Sequence, residues 1–297
     1  MRSDRQMMDL ILSRAREDDR VLAAYLKGSR ANPRVSRDVF QDFDVMYVVR
    51  EVAGFRSDPA WLESFGPILL KQEQNSPFGY GARFGLLGDD QEAYSWLLLF
   101  ADGTRIDLGV ETVDHLNRGA FRNRLFLPLL DKVGCLPQLP PPTDADFWVQ
   151  RPDQRQLTGC CNEFFWSLCD VVKGIARQEL PFAMGVYHSQ TRAMLDQMLS
   201  WYVGTETDFS LSCGKHSRYF GRYLPPELYR RYCETYPGGS FAQLWQAVEC
   251  AQSLFAEAAQ TVACRLSLTY PAGEEEGFVR YAAWARSQAW PISPEEC

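Results

Sequence analysis

The sequence has little of what marks a membrane-spanning, secreted or zinc-binding protein. No stretch approaches the roughly 18 uncharged apolar residues that a membrane-spanning helix needs. The N-terminal stretch has no uninterrupted apolar segment, so we expect no secretory signal and a cytoplasmic protein. Histidine occurs only three times, and none of the nine cysteines belongs to a Cys-x-x-Cys pair. We therefore expect reduced, buried thiols and predict no zinc site.

The sequence also has fewer positively charged than negatively charged residues. Lys and Arg number 31 against 38 Asp and Glu, which gives a formal net charge of −7 and an isoelectric point of about 5.2. This balance disfavours a nucleic acid as the partner, because gripping a phosphate backbone needs a basic surface. It is compatible with a cationic small molecule. With 46% hydrophobic and 23% charged residues, the composition is that of an ordinary globular protein with no membrane partner.

A proline-rich segment separates two parts of the chain that differ in pattern. Residues 137–142 read PQLPPP, a composition typical of an extended, semi-rigid connection. Apolar runs of strand length precede it, and apolar residues at helical spacing follow it. We therefore predict an α+β fold. Its parts are a domain with a mixed sheet flanked by helices over 1–136, a linker over 137–147, and an all-helical bundle over 148–297.

Periodicity and turn residues predict the individual elements of both parts. A hairpin is indicated around Asp102-Gly103, because Asp-Gly is a preferred tight turn between two apolar runs. The predicted elements, in chain order, are a helix over 4–17, strands over 21–26 and 44–49, a short helix over 59–70, a loop or flap over 74–92, hairpin strands over 94–100 and 105–110, and helices marked by 160–177, 194–201, 244–262 and 278–285.

Two carboxylates open the second predicted strand. Asp42 and Asp44 are two residues apart, so on a strand their side chains point to the same face. Like charges held this close are costly unless a cation lies between them. Asp107, on the second strand of the predicted hairpin, can supply a third ligand. Carboxylate oxygens are what Mg²⁺ prefers, and a two-metal clamp is one way to transfer a nucleotidyl group. The competing interpretation of Asp107 is an exposed edge-strand charge paired with Arg105.

A Gly-Ser pair lies between the first predicted strand and a predicted helix. Gly28 lets backbone N–H groups approach a phosphate, and the Ser29 hydroxyl adds a donor. Arg30 can add a bidentate contact to phosphate oxygens. The order of features, from strand and Gly-Ser to Asp-x-Asp and then Ile-Asp-Leu, predicts metal-dependent nucleotidyl transfer.

This order resembles the nucleotidyltransferase superfamily with the DNA polymerase β-like fold. Within it, the chain resembles the aminoglycoside 6-adenylyltransferase (streptomycin adenylyltransferase) family nearly from end to end. The segments that carry the resemblance are 7–12 (MMDLIL), 28–33 (GSRANP), 40–44 (FQDFD), 98–108 (LLFADGTRIDL), 160–166 (CCNEFFW), 172–174 (VKG), 194–196 (MLD) with Trp201, 214–219 (GKHSRY) and 236–237 (YP).

The resemblance implies an enzyme that transfers AMP from ATP to the 6-hydroxyl of streptomycin, with Mg²⁺, and releases pyrophosphate. Lys173 then reaches the triphosphate, since a lysine of the helical domain does so in relatives. Lys215, in the Gly-Lys-His-Ser-Arg-Tyr segment, is a second candidate for nucleotide binding. The helical domain is expected to close over nucleotide and acceptor, with Glu163, Trp166 and Asp170 at the aminoglycoside, because a carboxylate and an aromatic face suit a guanidinium group.

Three questions stay open at the level of sequence. The general base is Asp107, Glu163 or Asp170. The acceptor is streptomycin, another hydroxylated antibiotic or a metabolite, since segment 74–95 departs from the family pattern. A catalytically silent nucleotide- or antibiotic-binding protein is the alternative from another class, although three retained carboxylates argue against it.

Overall fold

The fold is α+β, as the sequence predicts, with a mixed sheet in the N-terminal part and helices in the C-terminal part. The computed structural model describes residues 1–83, 85, 89–119 and 123–288. The chain divides into two compact units, Met1–Asp146 and a second unit that begins at Phe147. The proline-rich residues 137–142 belong to the first unit. Domain limits at 136 and 148, with a linker between them, stay a prediction.

The first unit is built on six strands among the described residues, with short helices between them. Its elements are α1 (Asp4–Glu17), β1 (Val21–Lys27), α2 (Gly28–Ala31), β2 (Phe43–Val49), α3 (Ala53–Arg56), α4 (Pro59–Glu63), β3 (Ile68–Glu73), α5 (Tyr80–Arg83), β4 (Ala93–Phe100), β5 (Arg105–Thr112), α6 (Val113–Gly119) and β6 (Phe126–Asp131).

The six strands form one sheet in the order β3-β4-β5-β2-β1-β6. Strands β2 and β5 are its central, parallel pair, and the other neighbours are antiparallel. Because side chains alternate along a strand, Val45 and Tyr47 of β2 face one side, which α1 covers. Met46 and Val48 face the other side, where a smaller apolar cluster with Leu116 of α6 covers part of the sheet.

Several elements of the first unit differ from the prediction, which did not include the short helices α3, α5 and α6. The helix expected over 59–70 is shorter, because Asp58 caps α4 and the chain turns at Gly66, which has φ +131°. Residues 68–73 then form the edge strand β3, and most of its side chains are exposed. Strand β6 was not predicted, because Pro128 breaks its pattern. The strands predicted over 21–26, 44–49, 94–100 and 105–110 are confirmed within two residues.

The second unit is helical in its described part. Its elements are α7 (Gln154–Ala176), α8 (Leu180–Val186), a π-helical turn (Tyr187–Thr191), α9 (Arg192–Glu206), α10 (Phe220–Tyr223), α11 (Pro226–Glu234), α12 (Phe241–Leu266) and α13 (Ala272–Ser287).

Helices α7 and α12 form the centre of the core of this unit. The rings of Phe164 and Phe255 stack with centroids 3.8 Å apart. A capping box formed by Asp153 and Gln156 starts α7, six residues before the predicted start. Gly174 lets α8 approach, since a Cβ there would lie 2.9 Å from the Cβ of Ala183. Among the residues that the structure describes, no helix is long and apolar enough to cross a bilayer.

Candidate active site

Asp44 and Asp107 lie side by side on the sheet. Their Cα atoms are paired in the parallel register of β2 and β5. Both side chains face away from the core that α1 covers, since their neighbours Val45, Ile106 and Leu108 belong to that core. Strand β5 is an interior strand, so Asp107 is not an edge-strand charge. The two carboxylates thus adjoin on the less covered face of the sheet.

Asp42 and Arg105 complete the charged cluster. Nε of Arg105 lies 3.5 Å from Oδ1 of Asp42, and its Nη2 lies 3.8 Å from Oδ1 of Asp107. These distances are ion-pair contacts and not hydrogen bonds, because both Oδ1 atoms are buried with no hydrogen-bond partner among the described residues. Beside Asp42 a cavity of about 450 Å³ opens, and its walls include Arg37 and Phe40. Arg105 thus contacts Asp107, as the competing interpretation of Asp107 expected, and it also contacts Asp42.

Burial makes the charged forms of two of these carboxyls unfavourable. Loss of solvent, together with the charge of Asp42, raises the pKa of Asp44 to about 6 against the opposing effect of Lys27. Loss of solvent, together with the charges of Asp44 and Asp42, raises the pKa of Asp107 to about 6 against the opposing effect of Arg105. The positive charges of Arg105 and Lys27 thus do not offset the cost of burying these carboxylates.

The turn between β1 and α2 packs directly on Asp44. Gly28 has φ +66°, and a Cβ at this position would lie 2.3 Å from Oδ2 of Asp44. The backbone N–H of Ser29 donates a hydrogen bond to the Asp44 carboxylate. Glycine is required here both for its positive φ and for the close approach. The predicted phosphate turn therefore adjoins the predicted metal ligands.

Arg30 has contacts that the sequence did not suggest. Its side chain is only 5% exposed and lies over the ring of Phe43, 3.5 Å from the centroid. Nε donates to the carbonyl of Asp42 and Nη2 to that of Gln41, both at 2.9 Å. Nη1 donates to the carboxylate of Asp4 at 2.8 Å. Arg30 thus fixes the backbone that carries Asp42, and its predicted contact with phosphate stays a prediction.

The carboxylate cluster fits a divalent cation chemically. Asp44 and Asp107 offer oxygen ligands on one face of the sheet, and Asp42 offers another just before β2. Two oxygens of this cluster are buried without a donor among the described residues. As the side chains stand, no three His, Cys, Asp or Glu residues of the described ranges are arranged to hold a metal ion. Arg105 lies among the carboxylates. A bound cation would take over the neutralising charge that Arg105 now supplies in part.

Comparison with known proteins identifies the family of this chain. The model of the family described as streptomycin adenylyltransferase matches residues 1–284. The chain belongs to this family. It is therefore a nucleotidyltransferase. An aminoglycoside 6-adenylyltransferase of Campylobacter jejuni is 34% identical over 276 residues, covering 93% of each chain. Its counterpart in Bacillus subtilis (strain 168) is 31% identical over 285 residues, covering 95% of this chain and 97% of the relative. A crystal structure of an aminoglycoside 6-adenyltransferase from Bacillus subtilis matches with a TM-score of 0.48 at 28% identity, covering 97% of this chain and 100% of that one.

In this member of the streptomycin adenylyltransferase family, four predicted site residues share one helix. Glu163, Trp166, Asp170 and Lys173 all lie on α7, at spacings that bring them to one side. Trp166 is 68% exposed, which is unusual for so large an apolar side chain. Nζ of Lys173 contacts the carboxylate of Asp170 and lies 5.8 Å from the centre of the Phe182 ring. Their predicted roles at nucleotide and acceptor stay predictions.

Lys215 is exposed and lies in a short turn at Lys215–Ser217. Sequence reasoning missed a cluster beside it, in which Asp196 of α9 contacts Ser217 and Tyr232. The local sequence contains no signal for this cluster, because Asp196, Ser217 and Tyr232 come together only in the folded helical unit.

Proposed function

We propose that this chain transfers AMP from ATP to a hydroxyl of an aminoglycoside, with Mg²⁺, and releases pyrophosphate. The 6-hydroxyl of streptomycin is the proposed acceptor. One observation carries the proposal: Asp44 and Asp107 adjoin on one sheet face beside the Gly28 turn, and Asp42 lies just before β2, where its charge acts on both. Oδ1 of Asp42 and Oδ1 of Asp107 are buried without a hydrogen-bond partner among the described residues. The family supports the transfer chemistry, and the names of the relatives support the class of acceptor.

Asp42, Asp44 and Asp107 would hold the metal. Bound Mg²⁺ would offset the charge that develops on the attacking and leaving oxygens. The elevated pKa values of Asp44 and Asp107 support this assignment, because a bound cation would offset the cost of burying these charged carboxylates and the repulsion from the neighbouring carboxylates. Of the three candidates for the general base, we favour Asp107, because its carboxylate adjoins Asp44 where the acceptor hydroxyl must arrive.

The phosphates of ATP would meet the turn at Gly28 and Ser29. Gly28 presents backbone there without a side chain, and the Ser29 hydroxyl can donate to a phosphate oxygen. Lys173 and Lys215 of the helical unit would add positive charge. Arg30 would act indirectly, by holding the carbonyls of Gln41 and Asp42.

The acceptor would contact the exposed stripe of α7. Trp166 offers an aromatic face, and Glu163 and Asp170 offer carboxylates, a combination that suits a guanidinium-bearing sugar. Segment 74–95, which we expect to depart from the family pattern, would bear on the choice of acceptor. Its residues 84 and 86–88 lie outside the described residues, and in the rest of the segment Asn75 donates a hydrogen bond of 2.6 Å to Asp90.

The deciding experiment measures pyrophosphate release and the mass of the acceptor. Purified protein with Mg²⁺, ATP and streptomycin is expected to release pyrophosphate and to add one AMP per acceptor. Asp44→Asn is expected to lower the rate by about a hundredfold or more, because a metal ligand and its charge are lost. Asp9→Asn on the exposed face of α1 is the matched control and should leave the rate unchanged. A normal rate in Asp44→Asn would refute the metal site.

A panel of other aminoglycosides and hydroxylated metabolites, each with ATP and with GTP, tests the substrate assignment. Transfer to a compound other than streptomycin would keep the chemistry and replace the acceptor. Binding of nucleotide in calorimetry without transfer to any acceptor would instead favour the silent binding protein.

A further inference from the structure

Three segments that are far apart in the sequence meet around the carboxylate of Asp196. The hydroxyl of Tyr232, from α11, donates to Oδ1 of Asp196 at 2.9 Å. The hydroxyl of Ser217 donates to Oδ2 at 3.1 Å. Asp196 therefore ties the turn at Lys215–Ser217 to both α9 and α11.

Asp196 holds this position although burial disfavours its charge. Loss of solvent raises the pKa of Asp196, against the hydrogen bonds from Tyr232 and Ser217 and the charges of Arg192 and His216. Its side chain is 30% exposed, and Nη2 of Arg192 lies 3.9 Å from Oδ1. Because this partly buried carboxylate interacts with several hydrogen-bond donors and cations, its position within the helical unit is fixed.

The turn that Asp196 holds has an unusual backbone. His216 has φ 54° and ψ 38°, and the next residue, Ser217, has φ 58°. Two consecutive left-handed residues that carry side chains persist only where the surroundings enforce them. Two backbone bonds hold this turn, from the N–H of Ser217 to the carbonyl of Gly214 at 3.2 Å and from the N–H of Tyr219 to the carbonyl of Cys213 at 3.1 Å. The bond from the Ser217 hydroxyl to Asp196 ties the turn to α9.

Arg192 forms an ion pair with Asp196 and is itself held by neighbouring residues. This side chain is buried, and its guanidinium lies 3.6 Å from the centre of the Tyr236 ring. It donates to the carbonyl of Thr235 at 3.2 Å, whereas its Nη2 is buried without a hydrogen-bond partner among the described residues. Because the guanidinium of Arg192 is buried, it cannot turn out into the solvent. Asp196 is therefore held from inside the helical unit.

We propose that Asp196 is a positioning residue for the polyphosphate of the nucleotide. It holds the left-handed turn at His216–Ser217 and thereby fixes the direction in which the adjacent Lys215 leaves the backbone. The inference rests on the proposed role of Lys215 in nucleotide binding. Asp196 itself does not touch the nucleotide. It acts by keeping Lys215 in place before the nucleotide arrives, which lowers the cost of ordering that side chain on binding.

The test titrates Mg·ATP into the full-length protein by calorimetry, with streptomycin as a second ligand. Lys215→Met and Asp196→Ala are each expected to raise the Kd for Mg·ATP by about tenfold, which corresponds to one lost charge-assisted contact. Asp196→Asn should recover most of the affinity, because an amide oxygen can still accept from Ser217 or Tyr232. The Kd for streptomycin should be unchanged in all three.

Hydrogen exchange of residues 210–222 separates positioning from direct contact. Exchange should speed up in Asp196→Ala and stay normal in Lys215→Met. Tyr232→Phe should weaken Mg·ATP binding, and Tyr229→Phe, one turn earlier on the same helix, serves as its control. Normal affinity in Lys215→Met would refute the role of Lys215. Weak binding in Lys215→Met with normal binding in Asp196→Ala would refute the inference alone. An equal loss for both ligands in Asp196→Ala without recovery in Asp196→Asn would also overturn it.

Discussion

At the scale of single residues, carboxylates on one hairpin have opposite environments. Burial and neighbouring negative charge raise the pKa of Asp107 to about 6. At the hairpin turn burial acts on Asp102 too, but hydrogen bonds from Arg2 and Thr104 outweigh it and hold the pKa of that carboxyl below its usual range. Nε of Arg2 donates to Asp102 at 2.9 Å. Asp102 therefore stabilises the fold when charged, whereas Asp107 and Asp44 do so when protonated.

These pKa values predict how stability depends on pH in the metal-free protein. The folded-state pKa of Asp44 lies above its unfolded value, so its contribution is present below pH 3.8 and is lost as the pH rises through about 6. With divalent cations chelated, Asp44→Asn should raise the free energy of unfolding at pH 7 by about 1–3 kcal/mol. The difference should shrink toward pH 4. Urea unfolding at pH 4, 5, 6 and 7 measures it.

Asp102→Asn is the control with the opposite sign. Because the pKa of Asp102 is lowered by folding, this substitution should destabilise the protein at pH 7, and the loss should diminish as the pH falls below about 4.

Added Mg²⁺ should raise the melting temperature of the wild type and not that of Asp44→Asn. If Asp44→Asn left the pH dependence of the free energy of unfolding unchanged, this result would contradict the raised pKa of Asp44.

Residue identity and spacing predicted a group of Asp42, Asp44 and Asp107; Asp44 and Asp107 adjoin on the sheet, and Asp42 lies just before β2. Their role as metal ligands stays a prediction. The part played by Arg30 was not accessible in this way. Its contact with the carbonyls of Gln41 and Asp42 depends on how the polar connection after α2 returns to the sheet. Local sequence contains no signal for such a path.

At the scale of elements, the turn from β1 into α2 is the most constrained piece of the candidate site. Gly28→Ala would place a methyl group 2.3 Å from the Asp44 carboxylate, at a φ of +66° that disfavours any side chain. We expect a loss of stability of about 1–3 kcal/mol and a large loss of nucleotidyl transfer, since Asp44 must move. Thermal unfolding and pyrophosphate release measure the two effects.

Gly134→Ala separates strain from displacement of the carboxylate. Gly134 has a similar φ of +72°, but a Cβ there would meet nothing within 4 Å. This variant should lose stability through the same backbone strain and keep full activity. If both variants kept activity, the close approach of Gly28 to Asp44 would be irrelevant to function.

Elements were predictable where burial imposes a pattern. Strands β2 and β5 are central and mostly buried, so their apolar runs stand out. Edge strands have no such requirement: Leu69 and Leu70 of β3 are both about two-thirds exposed, and Pro128 interrupts β6. β3 and β6 form because a neighbouring strand provides backbone groups for hydrogen bonding. Their formation therefore depends on tertiary contacts and not on their own sequence.

At the scale of the whole molecule, the two units have separate apolar cores among the described residues. Residues from Leu157 to Ala285 form one cluster, and residues from Met7 to Phe126 form the other two. The change from strand to helical periodicity across the proline-rich segment was therefore a true signal of fold class. The sequence could not show which distant polar side chains contact one another, since Asp196, Ser217 and Tyr232 come together only through the packing of α9, α11 and the turn at Lys215–Ser217.

The net charge of −7 predicts a salt dependence whose sign differs between the two substrates. An acidic protein attracts a polycationic aminoglycoside at long range and repels Mg·ATP, and salt screens both effects. Between 50 and 500 mM KCl, kcat/KM for the aminoglycoside should fall by about tenfold. The value for Mg·ATP should stay constant or rise. Steady-state kinetics with each substrate varied in turn measures both values, and a common fall for the two would indicate general destabilisation by salt in place of electrostatic attraction of the acceptor.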